Sequence, residues 1–291
     1  MSRAAPERIT VGEFEVLRLL DGTFLVDGGA MFGVVPRTLW ERRAAPDREN
    51  RIALALSCYL VRGPGMTVLV ETGVGPDVDR RYADFYGIRR EPGLFRLLEE
   101  VGIRPADVDV VVNSHLHFDH CGGNTIRAGK KGWAPAFPRA RYVVQRGEWE
   151  RALRPVERDK PSYLPVRLRA LEASGALNLL EGDGAVCPGV EAVLLPGHTA
   201  FHQGVKVSSG GRTFFYFGDT VPTAAHIDLP YIMSYDLFPV ETLENKKRLY
   251  ARALAEGWTV GFSHDLGHAF GALRGSVRRP EFVPAAPPNI D

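Results

Sequence analysis

Apolar residues along the chain gather in short runs closed by turn formers, the signature of buried strands. The pattern predicts strands over Phe14–Leu20, Ile52–Val61, Thr67–Glu71, Val108–Asn113, Arg141–Gln145, Val190–Leu195, Gln203–Val207, Thr213–Phe217 and Trp258–Ser263. Between some of them the spacing turns helical. After Pro92-Gly93, residues Leu94, Leu97, Leu98 and Val101 share one face, and further helices are predicted over Arg146–Leu153, Tyr163–Ser174 and Glu241–Glu256. Strands come first, strands and helices then mix, and the arrangement repeats loosely in the second half. Sheets packed on each other with helices outside, a layered α/β architecture, are the expected result. No Ser/Gly linker divides the chain, so residues 1–291 read as a single domain. A Pro-rich tail from about Arg278 is expected to run extended over the surface.

One of these runs ends in a dense cluster of coordinating side chains. Directly after Val108–Val112 stands Ser114-His115-Leu116-His117-Phe118-Asp119-His120, with four metal-capable groups in six positions. Buried imidazoles and a carboxylate need partners, and a metal ion satisfies them together. Residues two apart on an extended segment point the same way, so His115 and His117 can share one ion. Asp119 and His120 fall on the turn beyond, within reach of a second. The same placement recurs: His198 follows Val193–Gly197, Asp219 follows Phe214–Gly218, and His264 follows Trp258–Ser263. Strand ends that deliver His or Asp to one rim are how an α/β scaffold builds a site.

The order and spacing of His115-x-His117-x-Asp119-His120, Pro196-Gly197-His198-Thr199, Gly218-Asp219-Thr220 and the late His264 resemble the metallo-β-lactamase superfamily. The resemblance spans roughly Phe14 to Phe270 and implies a four-layer αβ/βα sandwich with two metal ions at the sheet edge. It implies that His115, His117 and His198 hold one ion, that Asp119, His120 and His264 hold the other, and that Asp219 bridges them. Two divalent ions bring a charge of about +4, two carboxylates −2 and a bridging hydroxide −1, which leaves about +1 when the histidines are neutral. Such a centre suits attack of the hydroxide on a carbonyl or phosphoryl group. Zinc is the expected metal, although these ligand types also accept Fe, Mn or Co.

Composition narrows the partners. The chain is 45% hydrophobic and 24% charged, with 36 Lys plus Arg against 35 Asp plus Glu. No basic excess points to nucleic acid. No apolar stretch approaches the roughly 18 to 20 residues of a membrane helix, and Met1–Thr10 lacks a signal peptide's apolar core. Cys58, Cys121 and Cys187 form no disulfide framework, which favours a cytoplasmic setting. A small-molecule substrate is expected, and a homodimer is compatible with the sequence.

Within the superfamily, the segment Ser114–Asn124 and the stretch Val26–Pro36 are most similar to N-acyl-homoserine lactonases and methyl-parathion-hydrolase-like proteins. Met31 and Phe32, set between glycines, suit either a mobile flap over a hydrophobic substrate or a hairpin packed on the core. True β-lactamases with a late Cys ligand and flavodiiron proteins fit less well. Glyoxalase-II-like thioesterases share the ligands, but only 27 residues follow His264, too few for their helical C-terminal region. Lactone or ester hydrolysis is the leading expectation. Phosphotriester, phosphodiester or thioester hydrolysis is the alternative, and an iron redox protein or sensor the non-hydrolytic one. The lactonases carry a tyrosine three residues after the bridging aspartate, where it assists the substrate carbonyl or leaving group; here that place holds Pro222. His226, Tyr231 and Tyr235 are the candidate replacements, beside Asp119 and Asp219 as catalytic carboxylates. His202 reads as a hydrogen-bonding neighbour of the ligands and His268 as surface. Asp265 reads equally as an orienting group or a turn carboxylate, and Cys121 as a packed thiol. Arg89-Arg90 and Lys130-Lys131 read as solvated charge pairs.

Overall fold

A computed structural model describes residues 6–129 and 132–285. Lys130, Lys131, Pro287 and Pro288 lie outside the described residues.

The strands are β1 (Arg8–Val11), β2 (Phe14–Asp27), β3 (Arg51–Gly63), β4 (Met66–Val70), β5 (Val110–Val112), β6 (Thr125–Arg127), β7 (Trp133–Pro135), β8 (Arg141–Gln145), β9 (Leu177–Leu180), β10 (Gly184–Cys187), β11 (Val190–Leu194), β12 (Gln203–Ser209), β13 (Arg212–Tyr216), β14 (Thr259–Gly261), β15 (Gly271–Ser276) and β16 (Arg279–Pro284). One sheet runs β1-β2-β3-β4-β5-β8-β9 and the other β10-β11-β12-β13-β14-β15-β16, with β6-β7 a separate hairpin. The helices are α1 (Gly28–Phe32), α2 (Arg37–Trp40), α3 (Arg80–Phe85), α4 (Leu94–Glu100), α5 (Phe118–Cys121), α6 (Arg146–Leu153), α7 (Pro165–Ser174) and α8 (Pro239–Glu256).

Alternation along the strands decides the layering. Val61, Val68, Val110 and Val143 of the first sheet meet Val190, Val205, Val207 and Phe214 of the second in a shared core. The opposite face of the first sheet packs Leu60, Leu69 and Val111 on Leu98 of α4, Trp149 of α6 and Leu168 of α7. The outer face of the second packs Phe215 and Val260 on Leu249 and Tyr250 of α8. The result is a four-layer αβ/βα sandwich.

Three expectations need correction. The C-terminal tail is extended, but Arg279–Pro284 pairs with β15 as an edge strand, where Pro280 gives up no ladder hydrogen bond on its solvent side. The Val26–Pro36 stretch holds neither a hairpin nor an open flap. Asp27 caps α1 by accepting from Ala30 N at 2.8 Å, and Met31 and Phe32 are buried, leaving Val34 exposed. Arg90 is not a solvated charge: it forks onto the fully buried Asp21, with Nη2 2.6 Å from Oδ1.

Candidate metal centre

The ends of β5, β11, β13 and β14 converge at one edge of the two sheets. From them come His115 to His120, His198, Asp219 and His264. Each turn has a local cause. Gly218 takes φ +54°, and a Cβ there would stand 2.5 Å from His202 Nε2, so only glycine lets the chain swing Asp219 inward.

Six of the seven expected donors are buried, with Asp119 left partly open. His117 Nδ1 lies 3.0 Å from His115 Nε2 and 3.2 Å from His198 Nε2. Asp219 spans the two groups. Its Oδ2 is 3.4 Å from His198 Nε2, and its Oδ1 is 3.4 Å from His120 Nε2 and 3.2 Å from His264 Nε2. Asp119 Oδ2 stands 3.6 Å from both His120 Nε2 and His264 Nε2. The donor atoms of His115, His117 and His198 lie within 4.8 Å of one another, as do those of Asp119, His120 and His264, and those of His115, His120 and Asp219.

Neighbouring groups fix which nitrogen each ring presents. His264 Nδ1 donates to Ala55 O at 2.8 Å, and His198 Nδ1 is 2.9 Å from Asp236 Oδ1, so both rings turn Nε2 inward. His115 Nδ1 pairs with Ser114 Oγ at 3.0 Å. Glu71 lies 3.4 Å from His120 Nδ1 and accepts from Ser114 N at 2.9 Å and Asn113 Nδ2 at 3.1 Å. Glu71 takes φ +61°, a costly backbone for a non-glycine residue, held here by those bonds. His202 Nε2 accepts from Asp219 N at 3.0 Å, so it supports the aspartate from behind and keeps its lone pair away from the cluster.

The electrostatics fit a cation. Burial and then the facing imidazoles push His115 and His117 well below the ordinary histidine value, so both are neutral and turn lone pairs toward one another. Burial opposes charge on His120 too, but Asp219, Asp119 and Glu71 outweigh it and raise it well above. Burial alone would lift Asp219, yet His120 and His264 hold it well below the carboxylate range. His120 Nε2, buried and without a hydrogen-bond partner, points at two carboxylates. Lone pairs aimed at lone pairs, with carboxylates between them, are stable only around positive charge. The residues present therefore fit divalent metal ions.

A family model for the metallo-β-lactamase superfamily matches residues 52–264. The chain belongs to the metallo-β-lactamase superfamily. It is a metal-dependent hydrolase of that superfamily. The N-acyl homoserine lactonase AiiA of Bacillus thuringiensis subsp. kurstaki is 29% identical over 227 residues, 73% of this chain and 82% of that protein. The N-acyl homoserine lactonase AttM of Azorhizobium caulinodans is 29% identical over 61% of this chain and 66% of its own length. Among solved structures, a "probable metal-dependent hydrolase" from Staphylococcus aureus superposes with a TM-score of 0.86 at 26% identity, covering 96% of this chain and 100% of that one. AidC, a dizinc quorum-quenching lactonase with a bound product, shares the fold at a TM-score of 0.81 and 18% identity, covering 97% and 98%.

The metallo-β-lactamase cluster opens onto a cavity of about 360 Å³. His117, Asp119, His198, Asp219 and His264 form its polar floor. Phe24, Val26, Met31, Leu54, Phe118 and Met233 give it apolar walls, and Arg158, Ser162 and Ser234 line it as well. Of the three candidate replacements for the missing tyrosine, only Tyr235 lines this cavity. His226 is buried behind it, with Nδ1 2.7 Å from Thr223 Oγ1, Nε2 donating to Met31 O at 2.9 Å, and its ring stacked on Phe32. Tyr231 turns to Arg43, whose guanidinium sits 4.1 Å from the ring centroid. Pro222 is buried and accepts from His264 N at 2.9 Å. Asp265 proves a turn carboxylate, accepting from Ala224 N, Gly267 N and His268 N. Cys121 is a packed thiol that donates to Leu116 O.

Sequence reasoning overlooked four groups. Tyr86 lines the cavity beside Tyr235, and burial, with Asp119's charge, pushes its phenol up to about 12. Glu71 and Asp236 back two histidines. Lys246 is fully buried and donates to the carbonyls of His226 at 2.7 Å, Asp228 at 2.6 Å and Tyr231 at 3.0 Å, fixing the segment that leads to Met233 and Tyr235. A lysine inside an amphipathic helix carries no sequence signal of that kind.

Proposed function

We propose that this chain hydrolyses a lactone or related carboxylic ester of the N-acyl homoserine lactone class, using two zinc ions. His115, His117 and His198 would hold one ion and Asp119, His120 and His264 the other, with Asp219 within reach of both. The observation that carries the reading is Asp219, which turns one oxygen to His198 and the other to His120 and His264 at the floor of a cavity with apolar walls. Ions bound there would polarise a carbonyl and supply a nucleophile from water at neutral pH.

The chain's own residues do the rest. Phe24, Met31, Phe118 and Met233 shed water around an acyl chain. Asp119, beside His120 and His264 and part-open to the cavity, can receive a proton from water on the oxygen it does not turn to the ion. Tyr86 and Tyr235 keep their phenolic protons, since burial raises both, and can hand one to a leaving alkoxide. The reading includes a cytoplasmic setting, which the three free, buried cysteines suit. Among the described residues no helix is long and apolar enough to cross a membrane.

The test is a panel of lactones, aryl esters, phosphotriesters and bis-(p-nitrophenyl) phosphate, run on metal-replete protein with elemental analysis. Lactones and esters should turn over fastest on zinc. Turnover of the phosphodiester alone, or tightly held iron with no hydrolysis, overturns the proposal.

A further inference from the structure

Three of the clustered histidines come from two turns far apart in the chain, and one buried carboxylate reaches both turns. Glu148 stands on the first turn of α6, is fully buried and does not line the cavity. Its Oε1 accepts from Leu116 N at 3.0 Å, and its Oε2 accepts from Thr199 Oγ1 at 2.7 Å. Leu116 lies between His115 and His117, and Thr199 directly follows His198. The same Oε1 accepts from Tyr163 Oη at 3.2 Å, and the rings of Tyr163 and His117 meet in a T-shape with centroids 4.9 Å apart. All three partners are neutral donors. A buried carboxylate without a cation beside it costs stability, so packing alone does not explain one on the face of α6 that buries Trp149 and Ala152. Cations held by the adjacent histidines would offset that cost.

We infer that Glu148 is a positioning residue for one metal ion only, the ion of His115, His117 and His198. By tying the Leu116 backbone to the Thr199 hydroxyl, it sets the distance between the two turns. That distance decides whether His117 Nδ1 stays 3.0 Å from His115 Nε2 and 3.2 Å from His198 Nε2. The other site is fixed without it. His264 Nδ1 donates to Ala55 O at 2.8 Å, and Glu71 stands 3.4 Å behind His120 Nδ1. Loss of Glu148 therefore lets the first three imidazoles drift apart and leaves Asp119, His120 and His264 in place. The inference rests on the two-ion assignment proposed above.

Zinc-loaded full-length protein, competed against a chromogenic chelator with elemental analysis alongside, tests it. Glu148→Ala should hold one of the two ions about 10- to 100-fold more weakly and the other as the wild type does. Glu148→Gln keeps the size and can keep all three bonds, its amide donating to a reversed Thr199 hydroxyl, so it should recover most of the affinity. Added to His264→Ala, Glu148→Ala should leave no tightly held zinc; added to His198→Ala, it should cost nothing further. Where Glu148→Ala folds poorly, Thr199→Val keeps the shape, cuts only the tie to the His198 turn and should loosen the same ion. Equal weakening of both ions, unchanged affinity in Glu148→Ala and Thr199→Val, or a Glu148→Gln protein that behaves like Glu148→Ala overturns the inference. A wild type that holds a single ion would sink the two-ion reading. Release of that ion by Glu148→Ala would still uphold the role of Glu148, and its retention would overturn it.

Discussion

Asp236 Oδ1 lies 2.9 Å from His198 Nδ1, and its Oδ2 accepts from Thr242 Oγ1 at 2.6 Å. The start of α8 therefore fixes the ring that faces Asp219. Because a carboxylate behind a ligating imidazole both orients it and raises its basicity, Asp236→Ala should weaken metal affinity about 10- to 100-fold. Competition with a chromogenic chelator measures this. Unchanged affinity would mean that α8 serves only the outer layer.

The ligand list has its own test. His264→Ala and His198→Ala should each lower the metal content from two ions toward one, and Asp219→Ala should abolish turnover. Two cations left without their shared carboxylate repel at close range. His202→Ala and His268→Ala should keep both metals, because His202 spends its Nε2 lone pair on Asp219 N and His268 lies against Phe282. Elemental analysis after saturation with zinc separates these outcomes. Equal metal loss in His202→Ala and His198→Ala would show the assignment to be wrong.

How much of this was legible depended on which physical signal each part carries. The candidate ligands stand out because coordinating residues at strand ends conflict with packing, and the β8 and α6 boundaries follow directly from hydrophobic period. β2 was read only to Leu20, since its pattern breaks where a bulge between Leu20 and Gly22 shifts the register and the strand runs on to Asp27. β1, β9, β10 and β16 escape the pattern because edge strands are only half-buried and their alternation is weak, and β15, next to the last edge, is exposed over Arg274–Ser276. Glu71, Asp236 and Lys246 had no signature at all. Their roles depend on partners 15 to 43 residues away, which no local window reports.

His226 carries a pH dependence with a definite sign. Nε2–H donates to Met31 O, so the ring is the neutral tautomer with Nδ1 accepting from Thr223, and burial lowers its pKa from 6.5 to about 3. Between those values the unfolded chain holds a proton that the folded chain does not. Stability is therefore present above pH 6.5 and lost as pH falls toward 3, by about 1.4 kcal/mol per unit for this group. From pH 7.5 to 5.5 the wild type should lose about 1.4 kcal/mol more than His226→Gln, read from urea unfolding. Parallel losses in the two proteins would contradict the assigned tautomer.

The position of Pro222 bears most directly on substrate preference. Its carbonyl accepts from His264 N, and its ring is buried, so this position offers the substrate no proton donor. The phenols that do line the cavity are Tyr86, from the turn after α3, and Tyr235, from the segment before α8. Both come from loops outside the turn that carries Asp219, so a leaving alkoxide can still be protonated, from a different side. An alkoxide needs that proton and a nitrophenolate does not. Removing the acting donor should therefore lower kcat for an unactivated lactone by roughly a hundred- to a thousandfold, equivalent to about 2.7 to 4 kcal/mol, with little effect on a p-nitrophenyl ester. Tyr86→Phe, Tyr235→Phe and the double variant, each assayed on both substrates, identify which phenol acts. His226→Gln and Tyr231→Phe serve as controls and should change the two rates in parallel, since neither side chain lines the cavity. Fast lactone hydrolysis that survives in the double variant would show that the metal centre needs no phenol, and that the substitution of proline for tyrosine at position 222 carries no catalytic consequence.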